Sequence, residues 1–187
     1  MKLDGSSATF CYTTNPDLLH DKLEKDSEGG QLFVCSRNLL LKRLEDNAFF
    51  KASKNQGIEN KLAYFHKKTG RTIAIQGELV GPGIQQNYEK FNKFSILIFS
   101  IYDVDDQRYL PISDVIDIAT ELELPTVPVL EVFKPFERFK NIDDFMEYSD
   151  NLTPIYASIP EGVVYHAVNG NISFKVISNK YLLKTGK

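Results

Sequence analysis

The chain has 187 residues, 42% of them hydrophobic and 25% charged, and a formal net charge of −3. Those totals describe a globular chain with room for one ordinary domain. They exclude a low-complexity chain and an overall basic nucleic-acid surface, though not a local basic patch. No apolar run approaches membrane-spanning length and no signal-peptide pattern opens the chain, so a cytoplasmic location is expected. Two cysteines occur, Cys11 and Cys35, both in apolar strand-like runs. No Cys/His spacing points to zinc, and buried reduced thiols are expected rather than a disulfide.

In chain order, residues 7–13 are β-prone and predict a strand. Residues 14–30 are polar, contain Pro16, Gly29 and Gly30, and read as a hairpin loop or surface insertion. Residues 31–35 predict the next strand. Residues 39–55 mix apolar and charged side chains without a clear period and read as a loop. Over 57–68, Ile58, Leu62 and Phe65 share one stripe opposite Lys61, Lys67 and Lys68, which predicts a helix ended by Gly70. Residues 72–80 predict a strand that carries Glu78 near its end, followed by a turn at Gly81-Pro82-Gly83. Residues 94–102 are nearly all apolar and predict a central strand buried on both faces.

A helix is predicted over 113–122 with Ser113 as its cap, stopped by Pro125 and Pro128. A strand is predicted over 129–133. A short helix is predicted over 141–149, with Asn141 as its cap and two aspartates in its first turn. Strands at 161–165 and 172–177 form a hairpin through Gly170-Asn171. Antiparallel strands with helices segregated between them predict an α+β fold in one domain over 1–187.

The chemistry begins at the first residues. Lys2-Leu3-Asp4-Gly5 has the K-x-D-G pattern of a lysine that can attack an α-phosphorus once its amine has lost a proton. Asp4 can orient the amine, and Gly5 lets the chain turn tightly beneath a phosphate. Further along, Arg37 follows a strand and offers a planar fork suited to phosphate, although on sequence alone a surface arginine is the commoner explanation. Glu78 is either a cleft carboxylate or an edge-strand charge. Phe99, in a wholly apolar run, reads on sequence alone as core rather than as a stacking platform. Glu161 starts a strand and could simply be a solvated end. Lys175 alternates with Phe174 and Val176, so it snorkels to solvent or points into a polar site.

Taken together, Lys2-x-Asp-Gly, Ser36-Arg37-Asn38, Gly77-Glu78, Phe99, and Glu161-Gly162 followed by Lys175 resemble the covalent nucleotidyltransferases. The segments Q-G-E-L-V-G-P-G-I-Q, V-C-S-R-N and S-F-K-V-I-S-N-K-Y-L-L-K resemble ATP-dependent RNA ligases of bacteria, phages and large viruses. The nearest branch carries an N-terminal OB-type domain. The resemblance spans Lys2 to Lys184 and implies antiparallel sheets enclosing a nucleotide cleft with flanking helices. It implies ATP and Mg2+ (or Mn2+) as cofactors, and RNA or an RNA-containing nicked duplex as partner, with no membrane. It places the protein in the cytoplasm, or in the host cytoplasm for a viral protein, in RNA repair or end-joining.

Residue by residue, the resemblance makes Lys2 the adenylylated nucleophile and Lys175 a contact for the α-phosphate. It places Asp4, Gly5, Arg37, Glu78 and Phe99 around the nucleotide and Glu161 on the metal. Arg37 would serve the sugar and an incoming 5′-phosphate. Glu78 would accept from a ribose hydroxyl, and Phe99 would stack on adenine. Four departures accompany it. Only Met1 precedes the nucleophile, so an N-terminally truncated domain with a fraying Lys2 is expected. Ser100 stands where an aspartate is common. Ile177 stands where a second lysine is common, leaving Lys175 alone or Lys180 as its replacement. No C-terminal domain follows, which argues against a capping enzyme or a typical DNA ligase. A non-catalytic nucleotide- or RNA-binding fragment and a DNA ligase-like enzyme are the alternatives.

Overall fold

The computed structural model describes residues 1–42, 46–156, 159–170 and 172–186. Its elements are β1 (Ser6–Thr13), β2 (Gln31–Cys35), α1 (Ala48–Gln56), α2 (Ile58–Thr69), β3 (Ile73–Val80), β4 (Ser95–Asp103) and β5 (Arg108–Tyr109). There follow α3 (Ile112–Glu121), α4 (Pro135–Arg138), α5 (Ile142–Asp150), β6 (Gly162–His166), β7 (Ser173–Ile177) and α6 (Asn179–Thr185). The first five strands form one antiparallel sheet in the order β2-β1-β3-β4-β5, and β6 pairs antiparallel with β7. The class is α+β, as expected from the sequence.

Alternation sets the two faces of the large sheet. Ala8, Phe10 and Tyr12 of β1 and Ile73, Ile75 and Leu79 of β3 are buried on one face. That face is covered by α1 and α2, whose Ala52, Ile58, Leu62 and Phe65 belong to the same core. Glu78 has the opposite parity and lies between Ser7 of β1 and Leu97 of β4. The second face therefore carries Glu78 and Ser7 toward the cleft, beside the apolar Val80 and Leu97.

Strand β4 contains a bulge. Ser100 pairs with Gln76 and Ile98 with Gly77, which leaves Phe99 as the extra residue. The shift lets Ile98 and Ile101, three positions apart, both enter the core. Phe99 stays half-buried. The expectation of a strand buried on both faces thus fails at its middle, because one face borders the cleft.

Three other expectations change. Residues 39–55 are not all loop: α1 occupies their second half, capped by Asn47, whose side chain accepts from the Phe49 N–H at 2.8 Å. Its buried residues are small (Ala52 and Ser53), which hid the stripe. Gly57, with φ of 64°, ends α1 and starts α2, so it separates two helices. Helix α3 starts at Ile112 after Pro111; Ser113 Oγ donates to Asp114 rather than capping the backbone.

The segment Val129 to Phe133 forms no strand. The ladder contact falls just before it, where Ile98 donates to Pro125 and Val127 donates to Ile98 at 2.8 and 2.9 Å. Pro128 then removes a donor from the next position. Residues 179–185, for which the sequence predicts no element, form α6, capped by Ser178 and anchored by Tyr181.

The smaller sheet packs on α5. Phe145 meets Tyr165 and Phe174, and Ser149 Oγ donates to the Val176 carbonyl at 3.1 Å. Asn141 caps α5 as predicted, accepting from the Asp144 N–H at 3.0 Å. The β6–β7 turn contains Gly170 with φ of 78°; Asn171, also assigned to that turn, lies outside the described residues.

Candidate active site

Residues 1–5 run between the two sheets and are held by both. The Lys2 N–H donates to the Gly162 carbonyl at 2.8 Å, an isolated antiparallel bridge. The Met1 nitrogen donates to the Pro128 carbonyl at 2.7 Å. Met1 and Leu3 pack with Val80 and Leu97. The frayed lysine expected from the sequence is therefore a pinned one. Gly162 makes the bridge possible: at φ of 152°, a Cβ there would lie 2.1 Å from the Val176 carbonyl oxygen. No other residue fits.

The Lys2 Nζ lies 2.6 Å from Glu161 Oε2 and 3.4 Å from the Leu3 carbonyl. Both members of the ion pair are shielded, with side chains 20% and 13% exposed. Glu161, not Asp4, thus orients the amine. Asp4 is 6% exposed and turns away from the cavity. Its carboxylate accepts from the Tyr181 hydroxyl, and its N–H donates to Glu89 Oε1 at 3.1 Å.

Gly5 sits against Glu78. Its N–H donates to the Glu78 carboxylate. A Cβ on Gly5 would come within 2.9 Å of Glu78 Oε1 and 2.5 Å of the Leu79 carbonyl. The need for glycine here is close approach to a carboxylate, not a left-handed turn. Burial pushes the Glu78 carboxyl up to about 7, against the pull of Lys2, the Gly5 N–H and Arg37; nearby Glu161 adds to the rise.

These side chains border one cavity of about 1240 Å³. Lys2, Gly5, Arg37, Glu78, Phe99 and Lys175 all line it. Arg37 is exposed directly after β2, and Lys175 is exposed on β7 opposite Val164. Phe99 reaches the cavity because of the β4 bulge. Glu161 touches the cavity through Lys2. Lys180 does not replace the missing lysine: its Nζ donates to Asn151 Oδ1 at 2.9 Å, behind β7. Ile177 pairs with Gly162.

The Glu161 carboxylate beside the amine offers oxygen ligands to a hard cation that keeps most of its water. Among the described residues no group of three His, Cys, Asp or Glu side chains converges on one point. The residues therefore fit a cation shared with phosphate oxygens rather than an all-protein cage.

Several residues at the site carried no signal in the sequence. Glu89 and Tyr181 hold Asp4 on the side away from the cavity, and Gln85 Nε2 donates to the Gly5 carbonyl at 3.4 Å from the cavity side; only the fold joins them to the tetrad. Val132, Phe136 and Ile172 form an outer rim of the cavity, 76%, 78% and 70% exposed. The sequence predicts a strand over 129–133, so the part of this rim that Val132 supplies was not legible in it.

A lysine amine held by a carboxylate thus faces a cavity with an aromatic ring and two further cations on an antiparallel α+β scaffold. The sequence matches the RNA ligase family over residues 1–181, and the chain belongs to that family. No curated protein sequence matches it. Among solved structures it is similar to the Naegleria gruberi RNA ligase with PPi, at 28% identity and a TM-score of 0.80 over 99% of this chain and 50% of that one. It is also similar to a mutant of that ligase with ATP and Mn, at 27% identity and a TM-score of 0.82 over 100% of this chain and 50% of the other. Another mutant, with AMP and Mn, gives 28% identity and a TM-score of 0.81 over 99% and 50%. The chain thus spans about half the length of the solved ligases it matches.

Proposed function

We propose that this chain is the nucleotidyltransferase domain of an ATP-dependent RNA ligase, with Lys2 as the residue that carries AMP. The observation that carries the reading is the Lys2 Nζ, held by Glu161 at 2.6 Å on a cavity shared with Glu78, Phe99, Arg37 and Lys175. Family membership and the likeness to ligases solved with ATP, AMP and Mn support it.

In the first step the Nζ lone pair attacks the α-phosphorus of ATP. A nitrogen–phosphorus bond forms, the bond from the α-phosphorus to its bridging oxygen breaks, pyrophosphate leaves and the amine loses a proton. The amine must be deprotonated and released by Glu161 to attack. Lys175 would neutralise the α-phosphate, Glu78 would accept from a ribose hydroxyl and Phe99 would stack on the adenine. A bound Mg2+ or Mn2+ supplies charge neutralisation of the phosphates, and Glu161 would hold it.

In the second step a 5′-phosphate oxygen attacks the lysyl-AMP phosphorus, and AMP passes from nitrogen to that oxygen. In the third a 3′-hydroxyl attacks the 5′-phosphorus, AMP leaves and the strand is sealed. Arg37 would receive the 5′-phosphate. The cavity exceeds the roughly 300–1,000 Å³ usual for one small ligand, which leaves space for a strand end beside the nucleotide. Exposed Phe136, Val132 and Ile172 give that end apolar surface for unpaired bases.

The test is incubation with α-labelled ATP and Mg2+, followed by denaturation. Label on the wild type and none on Lys2→Ala supports the reading. A folded wild type that takes no label reduces the chain to a nucleotide- or RNA-binding fragment. Equal sealing of all-DNA nicks and RNA nicks would overturn the preference for RNA.

A further inference from the structure

The resemblance gave the opening tetrad its roles but nothing that keeps it in place. The structure supplies a grip from two residues to which the resemblance assigned no role, Tyr181 and Glu89. Helix α6 presents one buried residue, Tyr181, which is 1% exposed. Its hydroxyl donates to the Asp4 carboxylate. Its ring packs edge-on against Tyr88, with centroids 5.9 Å apart. The neighbouring Glu89 accepts the Asp4 N–H at 3.1 Å, so the loop after β3 and helix α6 meet on one residue.

Helix α6 is itself fixed to the site. The Ser178 N–H donates to the Glu161 carbonyl at 2.9 Å, and Ser178 Oγ donates to Asp150 at 2.8 Å. The connection therefore closes on itself. Glu161 holds the Lys2 amine, Ser178 holds the Glu161 backbone, Tyr181 follows three residues on, and Tyr181 holds Asp4, two residues from Lys2. A displacement of about 1 Å in a reacting group costs on the order of 100-fold in rate.

We propose that Tyr181 is a positioning residue for Lys2: through the Asp4 carboxylate its hydroxyl fixes the tetrad relative to the cavity. This rests on the adenylylation reading above. Tyr181 does not line the cavity, so its effect falls on the chemical step and not on ATP capture. Tyr181 itself stays protonated and a donor, because burial and the Asp4 contact both push its hydroxyl up.

The test compares wild type, Tyr181→Phe and Leu183→Ala. Leu183 is on the same helix but 85% exposed, and serves as a control for changes to α6. Tyr181→Phe keeps the ring packing against Tyr88 and removes only the donor. Lysyl-AMP formation is followed with α-labelled ATP across a range of ATP concentrations, together with thermal melting. In Tyr181→Phe the rate constant at saturating ATP is expected to fall about tenfold or more. Half-saturating ATP should stay within about twofold, and Leu183→Ala should match wild type.

A Tyr181→Phe rate constant equal to wild type overturns the inference. So does a loss confined to the labelled amplitude that follows the melting curve, since that describes a structural residue. A wild type that takes no label overturns the adenylylation reading and this inference with it. A labelled wild type with an equally fast Tyr181→Phe overturns only the inference.

Discussion

Glu161 Oε2 lies 2.6 Å from the Lys2 Nζ, and the residue after Glu161 bonds the Lys2 backbone at 2.8 Å. One strand end therefore fixes both the main chain and the side chain of the proposed nucleophile. A shielded pair of this kind is costly to leave half-made. Glu161→Ala is expected to lower lysyl-AMP formation by about 100-fold, since it removes the group that aims the amine. Lys2→Arg keeps the charge and the Glu161 contact, but a guanidinium stays protonated and cannot attack. It should therefore bind ATP and take no label. Filter binding of ATP beside a denaturing gel checks both, and a labelled Lys2→Arg would remove Lys2 from the role.

Glu78 titrates in the physiological range, pushed up to about 7 from 4.5. Its folded value lies above its unfolded one, so the native chain keeps a proton there that the unfolded chain releases. That contribution is fully present below about 4.5 and is lost as pH rises through about 7, on the order of 3 kcal/mol. Other carboxylates titrate too, so the informative quantity is the difference between wild type and Glu78→Gln. Between pH 5.5 and pH 8 the wild type should lose more stability in denaturant melts than Glu78→Gln does. Its half-saturating ATP should fall over the same range as the carboxylate becomes a full acceptor, and Glu78→Gln should show no such fall. Parallel profiles for the two proteins would rule out this titration.

Phe99 is placed by the β4 bulge, and its ring borders the cavity. Removing a base-stacking ring costs roughly 1–3 kcal/mol. Phe99→Ala should therefore raise half-saturating ATP by about 10-fold, within a range of about 5- to 150-fold. Phe99→Tyr should stay near wild type. The comparison by titration of lysyl-AMP formation separates stacking from core loss, because melting temperature should move little for a half-buried side chain. A large melting shift with unchanged ATP dependence would make Phe99 a core residue.

Much of this was legible because period and punctuation agree in the sequence. The strand over Gln31–Cys35 and the cap at Asn141 are local features, set by the β-prone Phe33 and Val34 and by a side-chain acceptor. The helix α1 was illegible because its buried positions are Ala52 and Ser53, too small to mark a stripe. Phe99 depends on a one-residue bulge, which alternation within a single strand does not show. Lys2, Arg37, Glu78 and Lys175 were found through short patterns whose meaning came from their combination, and the structure brings all four to one cavity. Asp4 shows the limit: the pattern identified the residue, but its partners Tyr181 and Glu89 lie 177 and 85 positions away in sequence. Only the fold joins them.

The exposed rim separates strand binding from nucleotide chemistry. Phe136 is 78% exposed, with its ring 6.0 Å from Phe174. An exposed ring at a cavity mouth has little to hold it there for stability, so its removal should leave melting within about 0.5 kcal/mol of wild type. Phe136→Ala should form lysyl-AMP normally, because it lies outside the adenylylation geometry. It should weaken binding of single-stranded RNA ends by roughly 5- to 150-fold, the cost of one lost base stack. Fluorescence anisotropy with a 5′-phosphorylated oligoribonucleotide reads this directly. Unchanged anisotropy with normal lysyl-AMP formation would remove the rim from the RNA path and leave only the nucleotide cleft in place.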